Sequence, residues 1–331
     1  MVVDSLAGTA TRATGPVGAA AGDVPPDLLD RIRTENLNVY RASPQRLRED
    51  VGQESQIAQD YRGRLVYELL QNADDAMDAE TVSSCIRFEL TDDELWVANS
   101  GHPLNEADVR GLCGISASKK SLCGQKRRAS IGHKGMGFKS VLEITDAPEV
   151  FSTTVCFLFS PDDAIGGVEP LVAEGRLDRV TRAPATRFPW PGNHGTPKWD
   201  RLRLRGMKTA FRFPLREKMD AEQRDRLATV LRDLPVTSLV FLKHIGRIEV
   251  DIRRSSESRS FAWSVHRQHA VGETWVNVAG FDESGDYRVS VVPSSGTRGP
   301  PRRSFCRSTP TSPSETTAAG WTSSRGKASS P

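Results

Sequence analysis

The feature that most constrains the fold is an apolar stripe of helical period between residues 54 and 77. Its members stand three or four residues apart: Ile57, Tyr61, Leu65, Leu69, Ala73 and Ala76. Side chains at that spacing share one face of an α-helix, and an apolar face of this length must be buried. The stripe therefore predicts one long helix, from about Glu54 to Met77, that packs against the rest of a domain.

The patterns around this helix change from helical to strand-like without a regular βαβ order. Before it, helical pieces are predicted from Asp27 to about Glu49, interrupted at Pro44 because proline breaks a helix. After it, the patterns predict a β-hairpin at 86–97, short helices at 108–115 and 138–144, strands at 150–159, 202–204 and 209–213, a helix at 221–234, and strands at 248–252, 260–267, 273–279 and 287–292. This order predicts the α+β class.

Composition sets the expected limits of the folded part. Residues 1–24 have little to pack and are predicted to form a disordered arm, whereas residues 25–292 are predicted to form one domain with a C-terminal β extension. Residues 293–331 are rich in Ser, Thr, Pro, Gly and Arg, and we predict a disordered tail because so few apolar side chains cannot stabilise a fold. Two origins for this tail stay open: a native linker, or a truncated or frame-shifted end.

Charge and cysteine content exclude several function classes. The 45 Lys and Arg residues against 42 Asp and Glu leave a net charge of +3, which gives no argument for nucleic acid as a partner. No apolar run approaches the roughly 18 residues of a membrane helix, so no membrane partner is predicted. The five cysteines are never spaced C-x-x-C, which favours a reducing cytoplasm over a disulfide framework or zinc site. The sequence predicts no particular oligomeric state.

Three polar residues lie beside the apolar stripe of the predicted long helix. Glu68, Asn72 and Asp75 occupy positions i, i+4 and i+7, which places them on one face. One interpretation is a solvated polar stripe. The other is a functional site, in which the Asn72 carbonyl binds Mg²⁺ together with phosphate oxygens and Glu68 accepts a proton from attacking water.

A glycine cluster precedes the predicted helix at 138–144. Gly132, Gly135 and Gly137 let a backbone approach an anion, and the free N–H groups of a helix start attract phosphate. A flexible turn is the alternative interpretation. Phe138 separates Gly137 from Lys139, which excludes a P-loop, and the order of the glycines excludes a dinucleotide-binding fingerprint.

Together, the two motifs resemble the GHKL ATPase superfamily of gyrase B, the ninety-kilodalton heat-shock chaperone, histidine kinases and MutL. The string ELLQNADDA at 68–76 is similar to the E-x-x-x-N-x-x-D-A box of that family, and IGHKGMGFKS at 131–140 is similar to its second glycine box. The sacsin-type branch is the most similar. The resemblance covers about residues 50–252 and implies a two-layer α/β sandwich of the Bergerat type, with an antiparallel or mixed sheet covered on one face by helices.

The resemblance also implies a role for each matching residue. Glu68 is the implied general base, Asn72 the implied Mg²⁺ ligand, and Asp75 supports the base or nearby solvent. Asn99 stands where the family usually has an Asp that accepts hydrogen bonds from adenine, and the glycine pattern around Gly101 is degraded. The other implied nucleotide-binding residues are Ser118, Lys119, Gly132, Gly135, Gly137, Phe138, Lys139 and Thr209.

These roles predict a domain that binds ATP with Mg²⁺ and hydrolyses ATP slowly, closing a mobile lid at about residues 116–130. Protein clients or partner domains are the implied macromolecular partners. The alternative hypothesis is a nucleotide-gated protein-interaction module that does not hydrolyse ATP. A catalytically silent scaffold is a third hypothesis, which the intact glycine box disfavours.

Overall fold

The computed structural model describes residues 24–60, 63–79, 81, 83–114, 137–234, 242–270, 273–282 and 285–291, with side chains as far as Arg267. Its α-helices are α1 (Leu28–Ala42), α2 (Pro44–Asp60), α3 (Leu65–Asp75), α4 (Glu106–Cys113), α5 (Pro161–Ala173), α6 (Pro197–Leu204) and α7 (Ala221–Arg232). Two 3₁₀ helices, η1 (Gly137–Glu143) and η2 (Ala185–Arg187), complete the described helical elements.

The strands form one mixed sheet. They are β1 (Cys85–Thr91), β2 (Glu94–Asn99), β3 (Glu149–Ser152), β4 (Cys156–Leu158), β5 (Trp190–Pro191), β6 (Thr209–Pro214), β7 (Arg247–Arg253), β8 (Ser258–Ala270), β9 (Glu273–Asp282) and β10 (Gly285–Val291). Their spatial order is β10-β9-β8-β7-β1-β2-β6-β3-β4-β5. β1 and β7 run parallel, whereas the other neighbouring pairs are antiparallel. The fold is therefore α+β with a mixed sheet, as predicted.

Alternation along the strands separates the two faces of the sheet. On β1, Ile86, Phe88 and Leu90 belong to the main core, which they share with side chains of α1, α3, α4, η1 and α7. Arg87 and Glu89 point to the opposite face and pair there by a salt bridge. The helical layer over the main core carries most of the predicted site residues that the structure describes.

A smaller cluster on the opposite face corrects the expectation that helices cover one face. Trp199 and Leu202 of α6 pack there against Trp96 and Phe151. The alternation of Arg and Leu predicted a strand at 202–204, and this prediction was wrong. A Thr196 hydroxyl that accepts from the Trp199 N–H starts a helix instead.

The long helix predicted from Glu54 to Met77 is also corrected, because it is two helices. α2 ends at Asp60 and α3 begins at Leu65. Between them Gly63 has a φ of +75°, a conformation that ends a helix and that glycine adopts without strain. The Gly63 N–H donates to the Glu143 carboxylate of η1, 2.9 Å away, and this bond anchors the turn.

Most of the other predicted elements are present in the described residues, and the predicted helix at 138–144 is the 3₁₀ helix η1. The interruption at Pro44, the hairpin β1–β2, the short helix near residue 108 and the strands from residue 248 onward are present. The predicted strand at 150–159 is a tight hairpin, β3–β4, and the sequence reading missed α5. Among the helices of the described ranges, none has the length and apolarity needed to span a bilayer. The predicted N-terminal arm (apart from Val24) and the C-terminal tail lie outside the described residues.

Candidate functional site

Helix α3 carries three of the predicted site residues along one edge. Its buried side chains are Leu65, Val66, Leu69, Leu70, Ala73 and Asp74. The apolar members of that set pack in the main core, so they fix the rotation of the helix. Glu68, Asn72 and Asp75 are half-buried beside this packed face. The structure therefore keeps the predicted triplet on one helix, at the border between core and surface.

The first turn of η1 brings the second motif against α3. A methyl group built on Gly137 would overlap the Glu68 carboxylate, with Oε2 as the nearest atom. Such an approach is possible only for a residue without a side chain. Glu68 has further interactions in the structure. The carboxylate at the start of one motif and the last glycine of the other are thus in direct contact.

A second glycine joins the end of strand β2 to the other end of α3. A methyl group on Gly101 would lie 2.6 Å from the backbone carbonyl oxygen of Ala76, the residue that caps α3. The same carbonyl accepts a hydrogen bond from the His102 N–H at 2.7 Å. The chain that leaves β2 therefore passes directly against the end of α3. Asn72 and Asp75 belong to the last turn of this helix.

Two predicted polar residues lie opposite each other on the sheet. Asn99 of β2 and Thr209 of β6 are paired in register and face the helical layer, since they continue the alternation of Val97 and Phe211. Opposed residues of neighbouring strands have Cβ atoms about 5 Å apart. The Asn99 Oδ1 accepts from the Gly101 N–H at 3.1 Å. Asn99, Gly101 and Thr209 thus form a small polar floor beneath the C-terminal end of α3.

The Thr209 hydroxyl is an unusual feature of this floor. Thr209 is 2% exposed, and within the described residues its Oγ1 has no hydrogen-bond partner. A buried hydroxyl without a partner costs about 1–3 kcal/mol. Such a group is commonly completed by a ligand or an ordered water molecule.

Phe138 and Lys139 follow Gly137 on η1, but their side chains turn away from Glu68. Phe138 packs in the core against Phe159, Phe211 and Phe213. Lys139 is fully buried, and its Nζ donates to the Thr186 hydroxyl at 2.6 Å. Burial lowers the pKa of Lys139 to about 8. Both side chains serve in packing and internal hydrogen bonding, so their implied contact with a nucleotide would have to be made by the backbone.

Sequence reasoning missed Asp74, which the structure gives a clear role. Its carboxylate accepts the backbone N–H groups of Lys243, His244 and Ile245, at 2.7, 2.8 and 2.9 Å. The same turn is held from its other side by Arg267 of β8, which donates to the carbonyls of Leu242 and Ile245. The sequence did contain a signal for this role, because Asp74 shares a helix face with two apolar residues of α3. A carboxylate on a buried face needs hydrogen-bond partners.

Four predicted site residues lie outside the described residues: Ser118, Lys119, Gly132 and Gly135. The predicted lid at about residues 116–130 lies outside them as well. In the described ranges, no group of three or more His, Cys, Asp or Glu side chains is arranged to hold a metal ion. Asn72, the predicted Mg²⁺ ligand, is half-buried on α3.

Taken together, the described site offers three chemical functions within one region. The Gly137 backbone permits close approach, the Glu68 carboxylate is a candidate base, and the Asn99–Thr209 floor offers a buried polar surface.

A known family model matches most of the chain. The family model "Sacsin domain" matches residues 53–262, which is well over half of the chain and includes α3, η1 and the sheet as far as β8.

Two curated relatives match parts of the chain. Protein NO VEIN of Arabidopsis thaliana is 36% identical over 108 residues, which is 32% of this chain and 4% of the relative. Sacsin of Homo sapiens is 28% identical over 236 residues, which is 61% of this chain and 5% of the relative. The chain thus spans a small fraction of either protein.

Proposed function

Because this chain belongs to the Sacsin domain family, we propose that it binds ATP with Mg²⁺ beside α3 and hydrolyses the ATP slowly. The observation that carries the proposal is the contact between the Glu68 carboxylate and Gly137, which joins the two motifs of the GHKL resemblance. The mixed sheet with α3 and η1 on one face supports a Bergerat type of fold. Neither motif alone would distinguish a site from a polar stripe or a loop.

The residues present fit a nucleotide. The Thr209 hydroxyl, buried without a partner in the described structure, is available to a polar base or to a water molecule beside one. Asn99 can contribute its amide group there, since an amide offers two N–H donors and a second lone pair on the oxygen. At the other end of α3, the Gly137 backbone leaves room that a side chain would fill.

In the proposed reaction Glu68 orients water and accepts its proton. Gly137 leaves the space that the carboxylate occupies, because any larger residue would displace it. Asn72, one helical turn further along α3, would supply the amide oxygen for Mg²⁺. Mg²⁺, when bound, neutralises phosphate charge. A positioned base raises the rate by a factor of roughly 10²–10⁴, and even a slow ATPase requires such a contribution.

Single-turnover hydrolysis tests the role of Glu68. Glu68→Gln should lower the rate by roughly 10²–10⁴, because the neutral amide cannot accept the proton. ATP affinity should stay within about threefold, since a base acts in the transition state. The control is Glu217→Gln, at an exposed glutamate in the loop before α7. Equal turnover in the wild type and the Glu68 variant would remove Glu68 from this role.

Equilibrium binding tests Asn72. Asn72→Ala should abolish the difference between ATP affinities measured with and without Mg²⁺, while affinity without Mg²⁺ stays close to that of the wild type.

If the wild type binds ATP but does not hydrolyse it at a measurable rate, the function becomes that of a nucleotide-gated interaction module. If the wild type does not bind ATP, both versions of the proposal fail.

The proposed function implies partners and a cellular compartment. Protein clients or partner domains are the partners we propose. We propose the cytoplasm as the compartment, because Cys85, Cys113 and Cys156 are buried and unpaired in the described part of the chain.

A further inference from the structure

Lys139 is a fully buried charged group next to the candidate site, and its ammonium group contacts two elements besides its own. Its side chain has no exposed surface. The Nζ donates to the Thr186 hydroxyl of η2 at 2.6 Å and lies 3.5 Å from the Leu112 carbonyl of α4. Since Lys139 itself belongs to η1, one ammonium group ties together η1, η2 and α4.

Thr186 extends this connection to α2. Its hydroxyl donates to Glu54 Oε1 and accepts from Lys139, which uses its single proton and one of its lone pairs. The backbone N–H groups of Ala185 and Thr186 donate to the same carboxylate at 3.1 and 3.0 Å. Glu54 thus caps the start of η2, and a directional chain of hydrogen bonds runs from Lys139 through Thr186 to Glu54.

This chain compensates the cost of burying the ammonium group. An unpaired buried charge is strongly unfavourable, whereas a charge within a complete hydrogen-bond network is tolerated. Burial is the main cause of the lowered pKa of Lys139, and the Glu54 carboxylate opposes that shift. The positions of Lys139 and Glu54 are therefore interdependent.

The geometry of η1 converts this interdependence into a constraint on the candidate site. A 3₁₀ helix has about three residues per turn, so residues 137 and 139 project in different directions. Gly137 faces Glu68 on α3, whereas Lys139 faces η2, α4 and, through Thr186, α2. Fixing Lys139 therefore fixes the orientation of Gly137 toward the Glu68 carboxylate.

We propose that Lys139 is a positioning residue which, through Thr186 and Glu54, holds η1 so that Gly137 stays against the Glu68 carboxylate. The expected effect of Lys139 on hydrolysis rests on the proposed function. The positioning of η1 by Lys139 does not require a nucleotide. The family resemblance implies instead that Lys139 binds the nucleotide directly.

Substitutions at Thr186 test the chain of hydrogen bonds with the least change of volume. Thr186→Val removes the bridging hydroxyl, and Thr186→Ser keeps it. Amide hydrogen exchange of residues 138–143, measured without nucleotide, should be about fivefold faster in the valine variant, as the loss of one such hydrogen bond implies. The serine variant should stay within about twofold of the wild type. Thr154→Val is the matched control, because its hydroxyl donates to the Leu104 carbonyl, outside this network.

Single-turnover hydrolysis by the same variants gives the functional readout. Thr186→Val should lower the rate by a factor similar to the change in exchange, and Thr186→Ser should restore it. Unchanged exchange at 138–143 in Thr186→Val would overturn the proposal. Uniformly faster exchange throughout the chain would also overturn it, because the network would then be a general stabilising feature. If the wild type does not hydrolyse ATP, the proposed function fails, and the exchange result alone decides whether η1 is held by this network.

Lys139→Met and Glu54→Gln distinguish positioning from a direct phosphate contact, and they replace Thr186→Val if that variant does not fold. Positioning predicts that both variants speed exchange at 138–143 and weaken binding of ATP. It also predicts non-additive effects in the double variant, since the two residues share one network. A loss of ATP affinity in Lys139→Met alone, with unchanged exchange and unchanged adenosine affinity, would assign Lys139 to the phosphates and overturn the proposal. Lys198→Met, on the opposite face of the sheet, controls for removal of a positive charge.

Discussion

Gly101 and Gly137 both lie against α3, but they meet different kinds of atom. A methyl group at Gly101 would overlap the backbone of Ala76, which cannot move without distorting the end of α3. A methyl group at Gly137 would overlap the tip of the Glu68 side chain, which can rotate away. The same substitution should therefore affect stability at one position and chemistry at the other.

We predict that Gly137→Ala lowers single-turnover hydrolysis by roughly 10²-fold or more, because the displaced Glu68 carboxylate no longer orients water. Its free energy of unfolding should change by less than about 1 kcal/mol. Gly101→Ala should instead lower the free energy of unfolding by about 1–3 kcal/mol. Denaturant titration and hydrolysis assays of both variants check the contrast, with Gly52→Ala in α2 as a control whose added methyl group meets no atom. Equal losses of stability at positions 101 and 137 would contradict this account.

The buried Thr209 hydroxyl leads to a prediction with opposite signs for stability and binding. Thr209→Val replaces a partnerless hydroxyl by a methyl group of similar size, so the free energy of unfolding should rise by about 1 kcal/mol. Affinity for ATP should fall by about fivefold or more, since one polar contact of the proposed site is lost. Thermal denaturation and equilibrium binding measure the two effects. A stability loss in this variant would mean that the hydroxyl already has a partner.

The turn that precedes β7 is a separate structural element held between α3 and β8. Asp74 accepts three of its N–H groups, and Arg267 donates to two of its carbonyls. The burial of Arg267 lowers the pKa of its guanidinium, and the nearby Asp74 charge opposes that effect. The element carrying Asn72 and Asp75 is thereby fastened to the start of the β7–β8 part of the sheet.

We predict that Asp74→Asn lowers the free energy of unfolding by about 2–3 kcal/mol, because hydrogen bonds to a charged acceptor are each stronger than neutral ones. In the Asp74→Asn variant the single amide oxygen remains an acceptor, whereas the NH₂ group faces backbone N–H donors and cannot accept from them. Urea denaturation measures the loss, and Asp93→Asn in the exposed turn between β1 and β2 is the control. A loss no greater than that of the control would show that the turn is held by other contacts.

Helices and strands whose apolar residues follow one clear period could be predicted from the sequence. Features that depend on the conformation of a single residue could not. The alternation around Phe88 and Val97 predicted the β1–β2 hairpin correctly, because one face of the sheet is buried. The apolar stripe did not reveal the break at Gly63, since a left-handed glycine interrupts the backbone without interrupting the pattern. Leu202 and Leu204 alternate with arginines as in a strand, but Leu202 is buried while Leu204 is 88% exposed on α6.

The candidate site was predicted less completely than the fold. Helical spacing predicted that Glu68, Asn72 and Asp75 share a face. The contact between Glu68 and Gly137 was not predicted, because no local pattern reports how η1 packs on α3. The burial of Lys139 was not predictable either, since its partners Thr186 and Glu54 are distant in sequence.

Buried titratable groups make the free energy of unfolding depend on pH in alkali. Burial lowers the pKa of Lys139 to about 8 and raises those of Cys85 and Cys113 to about 11 and 12. From pH 8 upward the unfolded chain holds more protons than the folded one at Lys139, so stability rises with pH there. Above pH 9 the unfolded cysteines lose protons first, which opposes that rise.

We predict that the free energy of unfolding of the wild type rises by about 1 kcal/mol between pH 7.5 and 9, relative to that of Lys139→Met. Both proteins keep the cysteines, so the difference between them below pH 9 reports mainly on Lys139. Denaturant titrations at half-unit pH intervals give the measurement. Parallel pH profiles for the two proteins would show that Lys139 does not change its protonation in this range.

The parallel pairing of β1 with β7 has a consequence for how the chain folds. Cys85 is paired with Arg247, so more than 160 residues must be made before the centre of the sheet can close. Contacts of such long sequence separation slow folding, because the entropy of a large loop is lost before they form. During synthesis, one edge of β1 therefore stays unpaired until residues 247–253 have left the ribosome. We expect refolding to be limited by this closure and sensitive to protein concentration, because an open apolar strand edge can pair with another chain.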